Sequence, residues 1–185
     1  MLRVLQGMNE LPDNLVFPKS SPFHRMVASF TVAVSGSHSI FLTDNLMGFE
    51  KEHSIRLTSN VAKDLHVRPR EVRDLLHAGH ISKDDFLGTL CMMLVNTAYE
   101  AVKSKNDHSP EFEFFRHVRN ASSHLNKFTF WPDEPRREAR WRGIDIPSTL
   151  KGDANPFCGR FCFGEVLAMS DAVYLLWDIN QKFKV

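Results

Sequence analysis

The sequence predicts an all-α protein with four long helices, and three observations carry that prediction. Apolar residues recur at three- and four-residue spacing in four windows, beginning near 22, 82, 111 and 163. Proline and small polar residues stand at the starts of three of these windows. Strand-like alternation is concentrated in one proline-rich stretch, about 126–160. At 185 residues the chain suits one domain with a real core. We therefore expect an N-terminal arm over 1–20 and a single helical domain over 21–185.

Ser20 and Ser21 before Pro22 form a helix start. Phe23, Met26, Val27, Phe30, Val34 and Phe41 then predict a long helix to about Phe49. His24 and His38 lie within it without paired cysteines or carboxylates at ligand spacing, so no metal site is expected there.

In the segment 58–76, Val61, Ala62, Leu65, Val67, Val72 and Leu75 occupy the apolar positions of a helix-turn-helix, with Pro69 opening the second helix. One reading is a DNA-binding regulator using Arg70 and Arg73. Against it, Glu71 and Asp74 offset those charges, and His66 replaces the usual turn glycine. A structural helical hairpin inserted over about 58–77 explains the same pattern.

Ser82 and Asp85 read as a capping-box start. The following helix carries Phe86, Leu90, Met93, Leu94, Thr97 and Ala101 as its expected buried stripe, backed by Leu87, Cys91 and Ala98, and is expected to be the central helix. The polar stretch 104–110 is a loop.

From Glu111 the chain reads EFEFFRHVRNASSHLNKF. On a helical wheel Phe114, Phe115, Val118, Ala121, Ser122 and Leu125 share one arc; Glu113, Arg116, His117, Arg119, Asn120, Ser123 and His124 share the other. A guanidinium forks onto phosphate and keeps its charge, while an imidazole moves protons near neutrality. Arg119 and His124 therefore suit phosphodiester chemistry without a metal. Asn120 stands one turn before His124, where it could fix the ring's tautomer. Five helical residues correspond to about 140° of rotation and about 7.5 Å of rise, so the Arg119 stem must swing, or a second chain must lend its arginine.

This pattern, an Arg, a polar residue and a His four to six positions after the Arg, resembles the HEPN superfamily (higher eukaryote and prokaryote nucleotide-binding domains). The flanks FFRHVR, WRGIDI and SDAVYLLWDI are similar to a bacterial subfamily, and the resemblance covers roughly residues 22 to 183. It implies an up-and-down bundle of four main helices, a homodimer that brings two Arg…His sets together, and metal-independent RNA cleavage by Arg119, Asn120 and His124. No cofactor and no metal are expected. A cognate antitoxin or defence-system partner fits the same family. The alternative is a non-catalytic HEPN module that binds nucleotide, RNA or a protein.

The stretch 126–160 holds Lys127-Phe128-Thr129-Phe130 and Trp141-Arg142-Gly143-Ile144-Asp145-Ile146, which read as two short strands or an extended loop. Its Pro135–Arg142 piece is the most basic in the chain. Arginines beside an aromatic suit single-stranded RNA, so Arg137, Arg140 and Arg142, with Arg116 and His117, are candidate substrate-binding residues. The other reading is a charged hairpin whose Trp141 packs inward. His117 is either a second proton-transfer group or an exposed neighbour. Cys158 and Cys162 lack a second ligand pair, which argues against zinc.

Val166, Leu167, Ser170, Val173, Tyr174 and Trp177 place the last helix over about 163–182. Net charge is +1, which excludes nucleic-acid coating by bulk charge and leaves room for a local basic patch. Three cysteines make no disulfide framework, and no window has the apolar length of a membrane span. The first residues lack a basic region followed by a long apolar run, so we expect a cytoplasmic protein.

Overall fold

A computed structural model describes residues 16–42, 54–150 and 152–183. It is mostly α. Five α-helices occur among the described residues: α1 His24–Leu42, α2 Pro69–His77, α3 Lys83–Val102, α4 Pro110–Ser123 and α5 Asp171–Phe183. They are joined by two small antiparallel hairpins, β1 Ile55–Leu57 with β2 Leu65–Val67, and β3 Ala139–Trp141 with β4 Ile144–Ile146. Of the expected arm over 1–20, residues 1–15 lie outside the described residues, as does the expected extension of the first helix beyond Leu42, while Phe17 is buried and meets Trp177 edge-on at 5.4 Å. No helix among them is long and apolar enough to cross a membrane.

The chain divides into two compact units, Phe30–Leu87 and the remainder. In the smaller unit the expected helical hairpin is corrected. Residues 55–67 form a β-hairpin with Ile55 opposite Val67, Arg56 opposite His66 and Leu57 opposite Leu65. Local side chains compete with helical bonding here. Asp64 accepts the Ser59 N–H at 3.0 Å, and the Ser59 hydroxyl accepts the N–H groups of Val61 and Ala62 at 3.2 and 3.0 Å. Pro69 pushes Arg68 into an extended conformation and opens α2. A single helix thus follows a ribbon, and the helix-turn-helix pair that the DNA-binding reading requires is not formed. Arg73 pairs with Asp74 at 3.1 Å and Arg68 with Glu71 at 2.8 Å, further offsetting the positive charge. The capping box at the start of α3 is present: Ser82 Oγ accepts the Asp85 N–H at 3.0 Å, and Asp85 accepts the Ser82 N–H at 3.4 Å.

In the larger unit α4, not α3, is the central helix. Phe112, Phe114, Phe115, Val118 and Ala121 are all fully buried, as the wheel places them, although Phe112 lies outside its apolar arc. Tyr99 of α3 meets Phe115 edge-on at 5.3 Å, Trp141 of β3 stacks on Phe114 at 5.8 Å, and Phe183 of α5 meets Phe112 at 5.1 Å. Helix α4 is therefore covered on several sides. On α3 the buried line is Cys91, Leu94, Val95, Ala98 and Val102, while Met93 is 62% exposed. The expected stripe through Met93, Thr97 and Ala101 is thus rotated, toward the side on which Tyr99 meets Phe112 and Phe115 of α4.

Beyond α4 the Lys127–Phe130 run pairs with residues 159–163. The Phe128 N–H donates to Arg160 O at 3.0 Å and the Gly159 N–H to Phe128 O at 2.9 Å. Asn126 anchors this ladder from a left-handed backbone, φ 64°. Its side chain donates to Phe163 O and accepts the Phe163 N–H, both at 2.8 Å, and its carbonyl accepts the Cys162 N–H at 2.7 Å. Residues 163–170, expected as helix, are turns. Gly164 has φ 95°, the Leu167 N–H donates to Cys162 O, and α5 begins only at Asp171. Burial pushes the Cys91 thiol up to about 12 and the Cys162 thiol up as well. Cys158 lies nearer the surface, its Sγ 3.6 Å from Asp153.

Replacing Asn126 with Ala removes both side-chain bonds, orphans the N–H of buried Phe163 and puts at positive φ a residue that tolerates the left-handed region less well than Asn. We expect Asn126→Ala to destabilise the protein by about 2 kcal/mol or more in urea unfolding. A loss below about 0.5 kcal/mol, the range of neutral surface changes, would contradict the anchoring role.

Candidate functional site

Helix α4 starts at Ser109-Pro110, where proline suits the first turn, and ends at Ser123. His124 is the residue after the last helical turn, with φ −112° and ψ 51°, and its N–H is shared between Asn120 O at 3.1 Å and Ala121 O at 3.0 Å. His124 still makes an i to i−4 bond, so the helical path holds up to its Cα and the chain departs from it only beyond that point. Leu125 at φ 55° and Asn126 at φ 64° follow, and the Lys127 N–H returns to His124 O at 3.1 Å. This tight turn projects from the end of α4, with His124 exposed and Leu125 86% exposed.

Arg119 is one-third exposed. Its Nη2 donates to Glu100 at 3.0 Å, and its guanidinium lies over the Tyr99 ring at 5.7 Å. Glu100 also accepts from Lys103 at 2.6 Å; that bond and the Arg119 contact hold its carboxyl below the ordinary range. Arg119 Nε is buried without a hydrogen-bond partner. Asn120 faces Arg119 rather than the imidazole: its Oδ1 accepts from Nη1 at 3.5 Å. The expected hydrogen bond from Asn120 to the His124 ring is not formed. Ser123 ties the helix end to α3 by donating to Asn96 Oδ1 at 2.9 Å. Among the described residues the His124 ring has no side-chain partner, and no hydrogen bond joins it to Arg119.

The other half of the expected polar arc turns inward. Glu113 is fully buried, and it accepts from Arg116 Nε at 2.8 Å, from Arg137 Nη1 at 3.2 Å and from Asn106 Nδ2 at 3.4 Å, with His108 Nδ1 at 3.1 Å. Arg116 reaches on to Glu134 at 3.1 Å and is only 16% exposed. Its Nη2 lies 3.1 Å from His117 Nε2; a guanidinium has no acceptor, so the imidazole nitrogen accepts. His117 is 7% exposed and packs against Phe130 at 5.3 Å, which corrects its placement as an exposed neighbour. A shallow cleft runs beside this network, lined by His117, Phe130, Glu134, Arg137, Ile146 and Leu150. Arg116, His117 and Arg137 are thus brought together, but around carboxylates and apart from the turn that carries His124.

The basic hairpin is also largely compensated. Arg140 pairs with Glu138 at 2.6 Å. Arg142 forks onto Asp178 at 2.6 and 2.8 Å while lying over Trp141 and Tyr174. Trp141 is buried and donates to the same carboxylate at 2.8 Å, so the ring packs inward as in the charged-hairpin reading. Sequence reasoning missed Glu100, Glu134 and His108. The spacing of Glu100 and Lys103 at i and i+3 is a visible signal for the first of them.

No family model, curated protein or solved structure matches this chain.

The buried network generates a pH prediction. Burial raises the Glu113 carboxyl, but Arg116, with His108 and Arg137, more than offsets it and holds the group below its ordinary value. Its stabilising contribution is therefore present above the ordinary glutamate value of about 4.3 and is lost as pH falls through the folded value. Glu113→Gln removes one of the two carboxylates that face buried Arg116 and the one that faces Arg137, and is expected to cost about 3 kcal/mol at pH 7. The gap between wild type and variant in urea unfolding should narrow as the pH is lowered below 4; a constant gap would refute the assignment.

Proposed function

We propose that this chain is a HEPN-like, metal-independent endoribonuclease whose site is the exposed end of α4. The observation that carries the reading is the placement of Arg119 and His124: both reach solvent at one end of a well-packed helix, and the imidazole has no competing side-chain partner among the described residues. Arg119 is held by a half-exposed carboxylate, and a solvent-screened pair of this kind is weak, so an incoming phosphate can take Glu100's place.

In the reaction the 2′-hydroxyl oxygen of RNA attacks the adjacent phosphorus, the 2′-O–P bond forms and the P–O5′ bond breaks. One His124 imidazole takes the 2′-hydroxyl proton, and the His124 of a second copy protonates the departing 5′-oxygen. Arg119 stabilises the charge on the phosphorane oxygens. Asn120, bonded to Arg119, positions the guanidinium. The products are a 2′,3′-cyclic phosphate and a 5′-hydroxyl, and DNA survives because it has no 2′-hydroxyl. A homodimer supplies the two imidazoles, and an antitoxin or defence partner would restrain such an activity in a cytoplasmic setting.

The competing reading is a non-catalytic module that binds nucleotide or RNA. The Arg119–Glu100 pair favours it, since it keeps the guanidinium occupied in the free protein. The experiment is RNA incubation in excess chelator. Wild type should release 2′,3′-cyclic phosphate ends, while Arg119→Ala and His124→Ala should each lose at least about a hundredfold in rate, the scale of one acid–base or oxyanion group. Both side chains are surface-reaching, so melting temperatures should stay near wild type. Binding without cleavage by wild type would leave the module reading.

A further inference from the structure

The turn that carries His124 also presents a second pair of groups, Lys127 and Phe161. The His124 carbonyl accepts the Lys127 N–H at 3.1 Å, and the two residues between them both have positive φ. A turn closed in this way brings the first and last Cα atoms within about 7 Å. Lys127 also bridges to Phe161 in the antiparallel ladder, and its ammonium lies 5.1 Å from the centre of the Phe161 ring. Phe161 is 48% exposed although it sits in an ordered ladder between buried Cys162 and Arg160. An apolar ring held this far into solvent by a fixed backbone contributes little to the core. Lys127 has no carboxylate partner among the described residues. The nearby acid, Glu165, is already engaged, accepting from Arg160 Nε at 2.6 Å and from the Phe161 N–H at 2.9 Å.

We infer that Lys127 and Phe161 form a nucleotide subsite beside His124, in which an unstacked base lies on the Phe161 ring and the adjoining phosphate pairs with the Lys127 ammonium. The inference rests on the reading of Arg119 and His124 as an RNA site, and it sets the substrate class as single-stranded RNA. Every base has a π face, so the subsite is tolerant of sequence but demands that the base be out of a duplex. Phe161 and Lys127 are binding residues and take no part in proton transfer. The backbone anchor at Asn126 holds both the catalytic imidazole and the subsite, because it fixes the turn on one side and the 161–163 strand on the other.

The test uses full-length protein carrying His124→Ala, so that RNA is bound but not cut, and measures anisotropy of a fluorescein-labelled mixed-sequence 12-nucleotide RNA. Adding Phe161→Leu, which keeps apolar bulk but removes the π face, should weaken binding about tenfold, within the range seen for loss of one base stack, and leave the salt dependence unchanged. Phe161→Trp should restore binding. Lys127→Ala should weaken binding and lower the slope of log K against log salt by about 0.7, one phosphate contact on a single strand. A blunt RNA duplex should be indifferent to Phe161→Leu. Single-stranded DNA of the same sequence should bind and, with His124 restored, remain uncut.

Parent-like affinity of the Leu and Ala variants overturns the subsite, as does an equal loss on single-stranded and duplex RNA, or no RNA binding by the parent. The nuclease reading fails separately. If wild type cuts no RNA while binding still depends on Phe161 and Lys127, the subsite stands and the protein is a binding module.

Discussion

A single buried carboxylate organises the larger unit. Glu113 sits on the helix that β3 and α5 pack against and that Tyr99 of α3 meets, and its charge in the interior is tolerable only because two guanidiniums, an amide and an imidazole converge on it. Arg137 lies 24 residues downstream of Glu113 and Glu134 18 residues beyond Arg116, so satisfying this one group draws the segment after α4 back across the helix. That fold-back covers the face of α4 that would otherwise be wet. Toward its C-terminal end the helix carries Arg119, one-third exposed, and exposed Ser123, with exposed His124 just beyond.

The division between interior and surface is therefore electrostatic as much as apolar. Arginines 116, 137, 140 and 142 each have a carboxylate within hydrogen-bonding distance, and for Arg142 the same carboxylate also accepts from Trp141. A basic run in the sequence is thus spent mostly on internal pairing. Where α4 gives way to the turn at 124–127, His124 and Lys127 have no carboxylate partner among the described residues.

Local signals in the sequence mark what local forces decide. The buried arc through Phe114, Phe115, Val118 and Ala121 follows from helical spacing, and the Ser82–Asp85 cap from residue type. The β1–β2 ribbon was obscured because Val61, Leu65 and Val67 also fit a helical template; the alternation Leu65-His66-Val67 was the better guide. Val166 and Leu167 fit the helical period of α5 yet lie in turns, since Gly164 and bonds back to residues 161 and 162 hold that backbone open. For the proposed site, residue chemistry singles out Arg119 and His124, but the wheel could not show that the helix stops before His124. Nor could it show that Glu113 and His117 lie under a distant loop. Those facts depend on partners far along the chain, which no window of local sequence contains.

The three cysteines offer a last consequence. Two are sealed in the interior with their protons firmly held, and the third is partly open beside Asp153. An alkylating reagent would accordingly count at most one sulfur while the chain is intact and three once it opens. The protein thus carries its own chemical gauge of breathing motions in the larger unit, readable by mass without any added label.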